Sequence, residues 1–264
     1  MEIGLYLKKL RECRPLVQNI TNFVVMNTTA NALLAIGASP VMAHAVDELE
    51  DMINIADALV INIGTLDERW VDSMLRAVKI AKEYEKPVVL DPVGAGATRY
   101  RTSTALKILE SGEIYILRGN YSEMKALIGE KSRTRGVDSA ESGKDAKDIA
   151  MRASDIFNTV AAVTGKRDYV SDGNEIYGID NGTSLLSRVT GTGCMVTSII
   201  GAFSAVAPPL EATVSSLVIF GIAAEMAENE APYPGSFHIK LYDWLYRIDG
   251  ELVEKKKRVV KIEP

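Results

Sequence analysis

The chain is short of the residues that most often carry metal or nucleophilic chemistry. Its two cysteines, Cys13 and Cys194, are too few for a disulfide framework or a thiolate zinc site, and neither stands in a CxxC pair, so a reducing compartment is expected. Two histidines, His44 and His238, exclude a His-rich metal site and leave little material for a Ser-His-Asp triad. Each suits a surface or hydrogen-bonded structural role. No run reaches the roughly eighteen uninterrupted apolar residues of a membrane span. Residues 1–15 lack the apolar core and cleavage site of a signal peptide. No membrane partner is therefore expected, and the location is expected to be cytoplasmic. Positive charge is scarce as well, with a net charge of -5 and a single short basic run, Lys255 to Arg258, that reads as a solvated face or strand edge. A nucleic-acid surface needs clustered Lys and Arg to displace counterions, so no nucleic-acid partner is expected.

What the chain does have is apolar content in a regular rhythm. Its 264 residues are 47% hydrophobic and 25% charged, enough for a large core and near the upper size of one α/β domain, so residues 1–264 are read as a single domain. Short apolar runs at 16–20, 40–43, 58–63, 87–90, 114–117 and 160–164 read as buried strands. Between them, residues 28–36, 48–55, 68–84, 104–109, 122–128 and 146–157 place apolar side chains three or four apart, as helices do. This alternation predicts a mostly parallel sheet with helices on both faces. Near residues 168–186 the rhythm changes, and Asp172-Gly173-Asn174 reads as the turn of a hairpin on an antiparallel edge. Two largely buried helices are expected at 195–206 and 210–228, and the polar segment 132–147 reads as a mobile loop.

Chemistry concentrates where these strands end. Val189-Thr190-Gly191-Thr192-Gly193-Cys194 leads into the apolar helical pattern at Met195. Glycines let several N–H groups gather at a helix N-terminus, where an anion such as phosphate is favoured, although a plain tight turn uses the same residues. Asp91, in Asp91-Pro92-Val93-Gly94-Ala95-Gly96, stands at the carboxyl end of a predicted strand, the edge at which open α/β sheets bind ligands. An acid there suits Mg²⁺, or equally caps the turn that Pro92 opens. Glu123, in Arg118-Gly119-Asn120-Tyr121-Ser122-Glu123, is a second acid after a strand, and its bland reading is the first turn of a helix. Thr164-Gly165-Lys166 adds a hydroxyl on the same edge. Together these groups resemble a site for a metal-chelated polyphosphate. No GxxxxGK[ST] loop is present and no GxGxxG follows the first strand, so neither a Walker loop nor a dinucleotide fold has support.

Taken with Gln18-Asn19-Ile20-Thr21-Asn22, Ser39-Pro40-Val41-Met42-Ala43 and Asn62-Ile63-Gly64-Thr65-Leu66, these motifs strongly resemble the hydroxyethylthiazole kinases, in order and over nearly the whole chain. The most specific element is Cys194, since other ribokinase-like proteins usually carry Asp at the end of that glycine turn. The resemblance implies a three-layer α/β/α ribokinase-like fold with a mostly parallel central sheet. It implies transfer of the ATP γ-phosphate to the hydroxyl of 4-methyl-5-(2-hydroxyethyl)thiazole, with ATP and Mg²⁺ required. It also implies a homotrimer whose active sites lie between subunits. Carried over by motif, Met42, Gly191, Asn22 and Gly64 would contact the thiazole, and Arg118, Thr164, Asn120 and Gly193 the ATP. Asp91 and Glu123 would organise Mg²⁺. Rival readings are a pyridoxal or hydroxymethylpyrimidine kinase, an ATP-dependent dehydratase of hydrated nicotinamide nucleotides, and a non-catalytic nucleotide sensor.

Phosphoryl transfer passes through a loose transition state, so alignment and charge neutralisation matter more than a strong base. Cys194 is accordingly expected to orient the hydroxyl and to accept its proton late. A helix N-terminus favours the thiolate, and nearby phosphates oppose it.

Overall fold

Strands that are mostly apolar on both faces must lie under helices on both sides, and strands of this kind form the centre of the molecule. The computed structural model describes residues 1–129 and 143–263. In it β1 (Leu16–Ile20), β2 (Ser39–Val41), β3 (Ala58–Asn62), β4 (Val88–Asp91), β5 (Ile116–Asn120) and β6 (Val160–Thr164) run parallel in the order β2-β1-β3-β4-β5-β6. Three antiparallel strands extend this edge: β7 (Asp168–Ser171), β8 (Ile176–Ile179) and β9 (Val259–Ile262).

Successive residues of a strand face opposite sides, and the two cores divide accordingly. Val17, Val60, Val89 and Ile116 meet one group of helices: α1 (Ile3–Cys13), α2 (Met26–Ile36), α8 (Thr192–Ser204), α9 (Pro209–Glu230), α10 (Pro234–Arg247) and α11 (Gly250–Lys256). Ile61, Leu90, Leu117 and Val163 meet the other: α3 (Leu49–Ile55), α4 (Glu68–Glu83), α5 (Arg99–Ser111), α6 (Tyr121–Leu127) and α7 (Gly143–Phe157). Local sequence explains individual helices. In α4, Asp67 caps the N-terminus by accepting from the Trp70 N–H, and Trp70, Met74, Ala77, Val78 and Ala81 form the buried stripe. The three-layer α/β/α architecture is the one expected.

The chain leaves β1 toward β2 on one side and later returns to β3 on the other. Crevices open at such reversals, outside the carboxyl ends of the strands. That crevice, between the ends of β1 and β3, holds the polar site described below.

Helix α9 has 22 residues and, among the described residues, is the one helix long and apolar enough to cross a membrane. It is instead buried between α8 and α10, and its hydroxyls turn inward: Thr213 donates to the Pro209 carbonyl and Ser216 to that of Ala212.

Several boundaries differ from expectation. Strand β5 runs to Asn120 instead of ending at 117, because pairing with β6 continues through Asn120 opposite Thr164. Arg118 therefore lies within the strand and not after it. Helix α8 begins at Thr192, so Cys194 is in its first turn; Gly191 caps it at φ +85°, and its carbonyl accepts from Met195 N–H. Of the loop expected at 132–147, residues 132–142 lie outside the described residues, and 143–147 open α7. Lys255 and Lys256 end α11, while Arg258 leads into β9 and pairs with Glu225.

Candidate active site

Parallel pairing sets the ends of β3 and β4 side by side, with Asn62 opposite Asp91. Asp91 is fully buried. Its Oδ2 accepts from Thr197 Oγ1 at 2.8 Å and Asn62 Nδ2 at 3.1 Å, and lies 3.7 Å from Arg118 Nη1. Its Oδ1 is buried without a protein partner. Burial pushes the carboxyl up to about 6; Arg118 opposes this and Glu123 adds to it.

Arg118 comes from β5 and reaches across the end of β6, where it donates to Thr164 Oγ1 at 2.7 Å. Its Nε is buried and unpartnered. A Cβ on Gly193 would sit 2.8 Å from Arg118 Nη1, so the guanidinium rests against the first turn of α8 only because residue 193 has no side chain. Backbone N–H groups in that turn have no acceptor within the helix. The unpartnered guanidinium nitrogen beside them has the chemistry to attract an anion, and the unpartnered Asp91 oxygen the chemistry to attract a cation.

Glu123 forms a capping box with Asn120: its N–H donates to Asn120 Oδ1 at 3.0 Å, and its Oε2 accepts the Asn120 N–H at 2.9 Å. Its Oε1 accepts the Gly94 N–H at 2.8 Å, which ties the loop after β4 to α6. The structural reading of Glu123 as a helix-start acid thus holds, and its charge still reaches Asp91.

Cys194 lies on the other side of Asp91. Asn22 Nδ2, from the end of β1, approaches its sulfur at 3.7 Å and also donates to Asn62 Oδ1 at 2.8 Å. Burial and then the Asp91 charge push the Cys194 thiol up to about 12, against hydrogen bonds from Asn62 and Asn22 and the charge of Arg118. Weighing only a helix N-terminus against phosphates omitted the largest of these effects, so Cys194 is a thiol and not a thiolate across the neutral range.

Gly64 packs on Asn22, and a Cβ there would fall 2.5 Å from Asn22 Nδ2. Gly191 faces the start of α2, where a Cβ would meet Val25 Cγ1 at 2.8 Å. Met42 directly follows β2, the outermost strand, and is half-buried. The structure thus brings Asn22, Gly64, Asp91, Arg118, Thr164, Gly193 and Cys194 together at one edge, with Glu123 and Asn120 beside them and Met42 out at the sheet margin.

Sequence reasoning did not single out Thr197, Arg101 or Asn62. Thr197 stands three residues after Cys194 and so on the same face of α8, a signal masked by the apolar context. Arg101 donates to the carbonyls of Val93 and Gly64, both at 2.7 Å, and joins the two loops that carry the site.

A cleft of about 800 Å³ runs away from Arg118 and is lined by Asn120, Thr164, Asp168, Gly182, Leu217 and Phe220 among others. Its lining combines polar groups (Arg118, Asn120, Thr164) with apolar side chains (Leu186, Leu217, Phe220), which suits a nucleotide. Magnesium fits chemically beside Arg118: Asp91 Oδ1 is a carboxylate oxygen without a protein partner, and Mg²⁺ is held by one or two carboxylates with phosphates and waters in the remaining positions. No cluster of three or more metal-ligating side chains occurs among the described residues, so a cage built wholly of protein ligands finds no support there.

Comparison with known proteins gives a consistent answer. A family model described as the hydroxyethylthiazole kinase family matches residues 7–251. A hydroxyethylthiazole kinase from Methanococcus maripaludis is 64% identical over 258 residues, covering 97% of each chain. The solved hydroxyethylthiazole kinase of Pyrococcus horikoshii superposes with a TM-score of 0.93 at 59% identity, covering 99% of both chains. A ribokinase-like superfamily protein from Enterococcus faecalis shares the fold alone, with a TM-score of 0.62 at 13% identity over 88% of this chain and 86% of its own.

Proposed function

Because this chain belongs to the hydroxyethylthiazole kinase family, we propose that it phosphorylates the hydroxyl of 4-methyl-5-(2-hydroxyethyl)thiazole from ATP, a salvage step of thiamine synthesis. The observation that carries this reading is the meeting of Asp91 and Cys194 across Asn62 and Asn22, next to the guanidinium of Arg118, whose Nε has no protein partner. It supports an alcohol-binding region set beside a polyphosphate-binding one. Family membership also separates this reading from the pyridoxal, hydroxymethylpyrimidine, dehydratase and sensor alternatives.

In this reading Arg118, Thr164, Asn120 and Gly193 line the ATP cleft, and the N–H groups of residues 192–194 receive the γ-phosphoryl oxygens. Asp91, through its free Oδ1, and Glu123 would hold Mg²⁺, whose chemistry is to neutralise phosphate charge as it shifts toward the leaving oxygen. Asn22, Gly64, Gly191 and Met42 bind the thiazole. The Cys194 thiol orients the alcohol by hydrogen bonding; with its pKa near 12 it holds its own proton and does not act as a base at neutral pH. In a loose transition state the alcohol proton is lost late, and a phosphoryl oxygen is a sufficient acceptor.

A homotrimer with sites between subunits and a cytoplasmic location belong to the same proposal. Phe23 and Val24, next to Asn22, are 58% and 62% exposed, as a surface covered by a neighbouring subunit would be. Light scattering on the purified protein tests the trimer.

The decisive experiment measures ADP release with hydroxyethylthiazole, hydroxymethylpyrimidine, pyridoxal and ribose offered in parallel, with and without Mg²⁺. ADP with the thiazole alone, abolished by chelation, supports the proposal. Release with another alcohol, or none despite ATP binding, overturns it.

A further inference from the structure

Asn62 ends β3 at the point where strand order reverses, and is 1% exposed. The residues before it, Leu59 to Ile61, are apolar, and an apolar residue would satisfy the strand at this position too. Asn62 uses both ends of its carboxamide instead. Its Oδ1 accepts from Gly64 N–H at 3.0 Å and Asn22 Nδ2 at 2.8 Å. Two donors on one atom fix which end is oxygen, so the amide cannot flip. Nδ2 is thereby directed at Asp91 Oδ2, at 3.1 Å, while Asn22, which donates to the Asn62 oxygen, approaches the Cys194 sulfur at 3.7 Å.

We propose that Asn62 is the positioning residue of phosphoryl transfer, the one side chain whose amide plane sets the alcohol pocket (Asn22, Gly64, Cys194) against the phosphate and cation site (Asp91). The proposal rests on the kinase reading above. It follows from which atoms are left free. Asn62 and Thr197 occupy Asp91 Oδ2 and leave Oδ1 as the oxygen without a protein partner, and by accepting from Asn22 Nδ2 the Asn62 amide fixes the side chain that approaches the Cys194 sulfur. Thr197 and Arg118 still hold Asp91 when Asn62 is removed, so the carboxylate is not stranded. What is lost is its orientation relative to the alcohol pocket. Misplacement of reacting groups by about 1 Å costs on the order of a hundredfold in rate.

The test compares N62A and the near-isosteric N62D with wild type in kcat, in KM for each substrate and in melting temperature, and adds N22A and the N22A/N62A double variant. In N62D the oxygen facing Asn22 and Gly64 is kept, while an acceptor replaces the donor facing Asp91. Expected are folded variants in which kcat falls at least about thirtyfold while KM for ATP stays within about threefold, the signature of lost alignment and not of lost binding. The N22A/N62A variant is expected to be no slower than N62A, since residues acting as one unit are not additive. The inference is overturned by kcat within about threefold of wild type in N62A, by a loss confined to KM for ATP, or by additive effects of N22A and N62A. If N62A does not fold, N62D decides by the same criteria; if neither folds, Asn62 is a fold residue and the inference falls. A wild-type protein that releases no ADP with the thiazole sinks the kinase reading itself, whereas an active wild type with equally active variants sinks only this inference.

Discussion

Gly193 and Arg118 share one space: the Nη1 of Arg118 lies 2.8 Å from where a Cβ of residue 193 would be. The guanidinium that bridges β5 and β6 to the start of α8 therefore depends on a hydrogen atom at position 193. Gly193→Ala is expected to push Arg118 away from both Thr164 and the helix N-terminus, raising KM for ATP by about tenfold, the equivalent of roughly 1.4 kcal/mol. KM for the thiazole should change little. Steady-state kinetics in both substrates checks this, and an unchanged KM for ATP would show that Arg118 does not contact the nucleotide.

Asp91 links function to stability through its proton. Its folded pKa of about 6 exceeds the roughly 3.9 of an unfolded aspartate, so the folded protein retains a proton that the unfolded chain has released. The contribution of this group to stability is therefore greatest below about pH 4 and declines as pH rises to about 6. Asp91→Asn can keep an oxygen toward Thr197 and Asn62 and removes the buried charge. The variant without ligand is expected to melt above wild type at pH 7, with the gap closing toward pH 4, while phosphoryl transfer falls at least about a hundredfold. Melting curves of both proteins across that range measure it. Asp168, also pushed up to about 6 by burial, titrates in both and cancels. A variant melting below wild type at pH 7 would show that the charge stabilises the fold.

Cys194, with its thiol raised to about 12, should behave as an inert thiol. Iodoacetamide at pH 7.5 is expected to label exposed Cys13 first, with Cys194 slower by at least about a hundredfold. The kcat against pH profile of Cys194→Ser should keep the shape of the wild-type profile between pH 6.5 and 9. Rapid labelling of Cys194, identified by peptide mapping, would contradict the protonated assignment.

Gly64 packs so tightly on Asn22 that a methyl group there would lie 2.5 Å from Nδ2. Gly64→Ala is expected to lower stability by about 1–3 kcal/mol through overpacking. It should also raise KM for the thiazole more than KM for ATP, because Asn22 belongs to the alcohol side. Equal effects on both constants would place Asn22 outside the thiazole pocket.

How far the sequence discloses this molecule depends on what kind of information each feature needs. The parallel core was legible because a strand covered on both faces must be apolar throughout, as Ala58–Asn62 nearly is. Where β5 ends was not, because Arg118, Gly119 and Asn120 have polar or absent side chains while their backbone continues to pair with β6. Asp91, Glu123 and the turn before Cys194 stood out as polar groups at strand ends, where sheets of this type bind ligands. The state of the Cys194 thiol did not, since it is decided by burial and by Asp91, more than a hundred residues earlier in the chain. Nor did the free oxygen of Asp91: which of the two remains open depends on donors arriving from β3, β5 and α8.

Most of helix α9, up to Ala224, has no face suited to water, because it packs against both α8 and α10. During synthesis α8 has already emerged when α9 appears, but α10 has not. A chain truncated before Pro234 would thus display a largely apolar rod with one flank bare, a ready target for chaperones or for sticking to another copy. The back of the nucleotide cleft, built in part by Leu217 and Phe220 of this same rod, becomes dependable only once the last quarter of that helical layer has been translated.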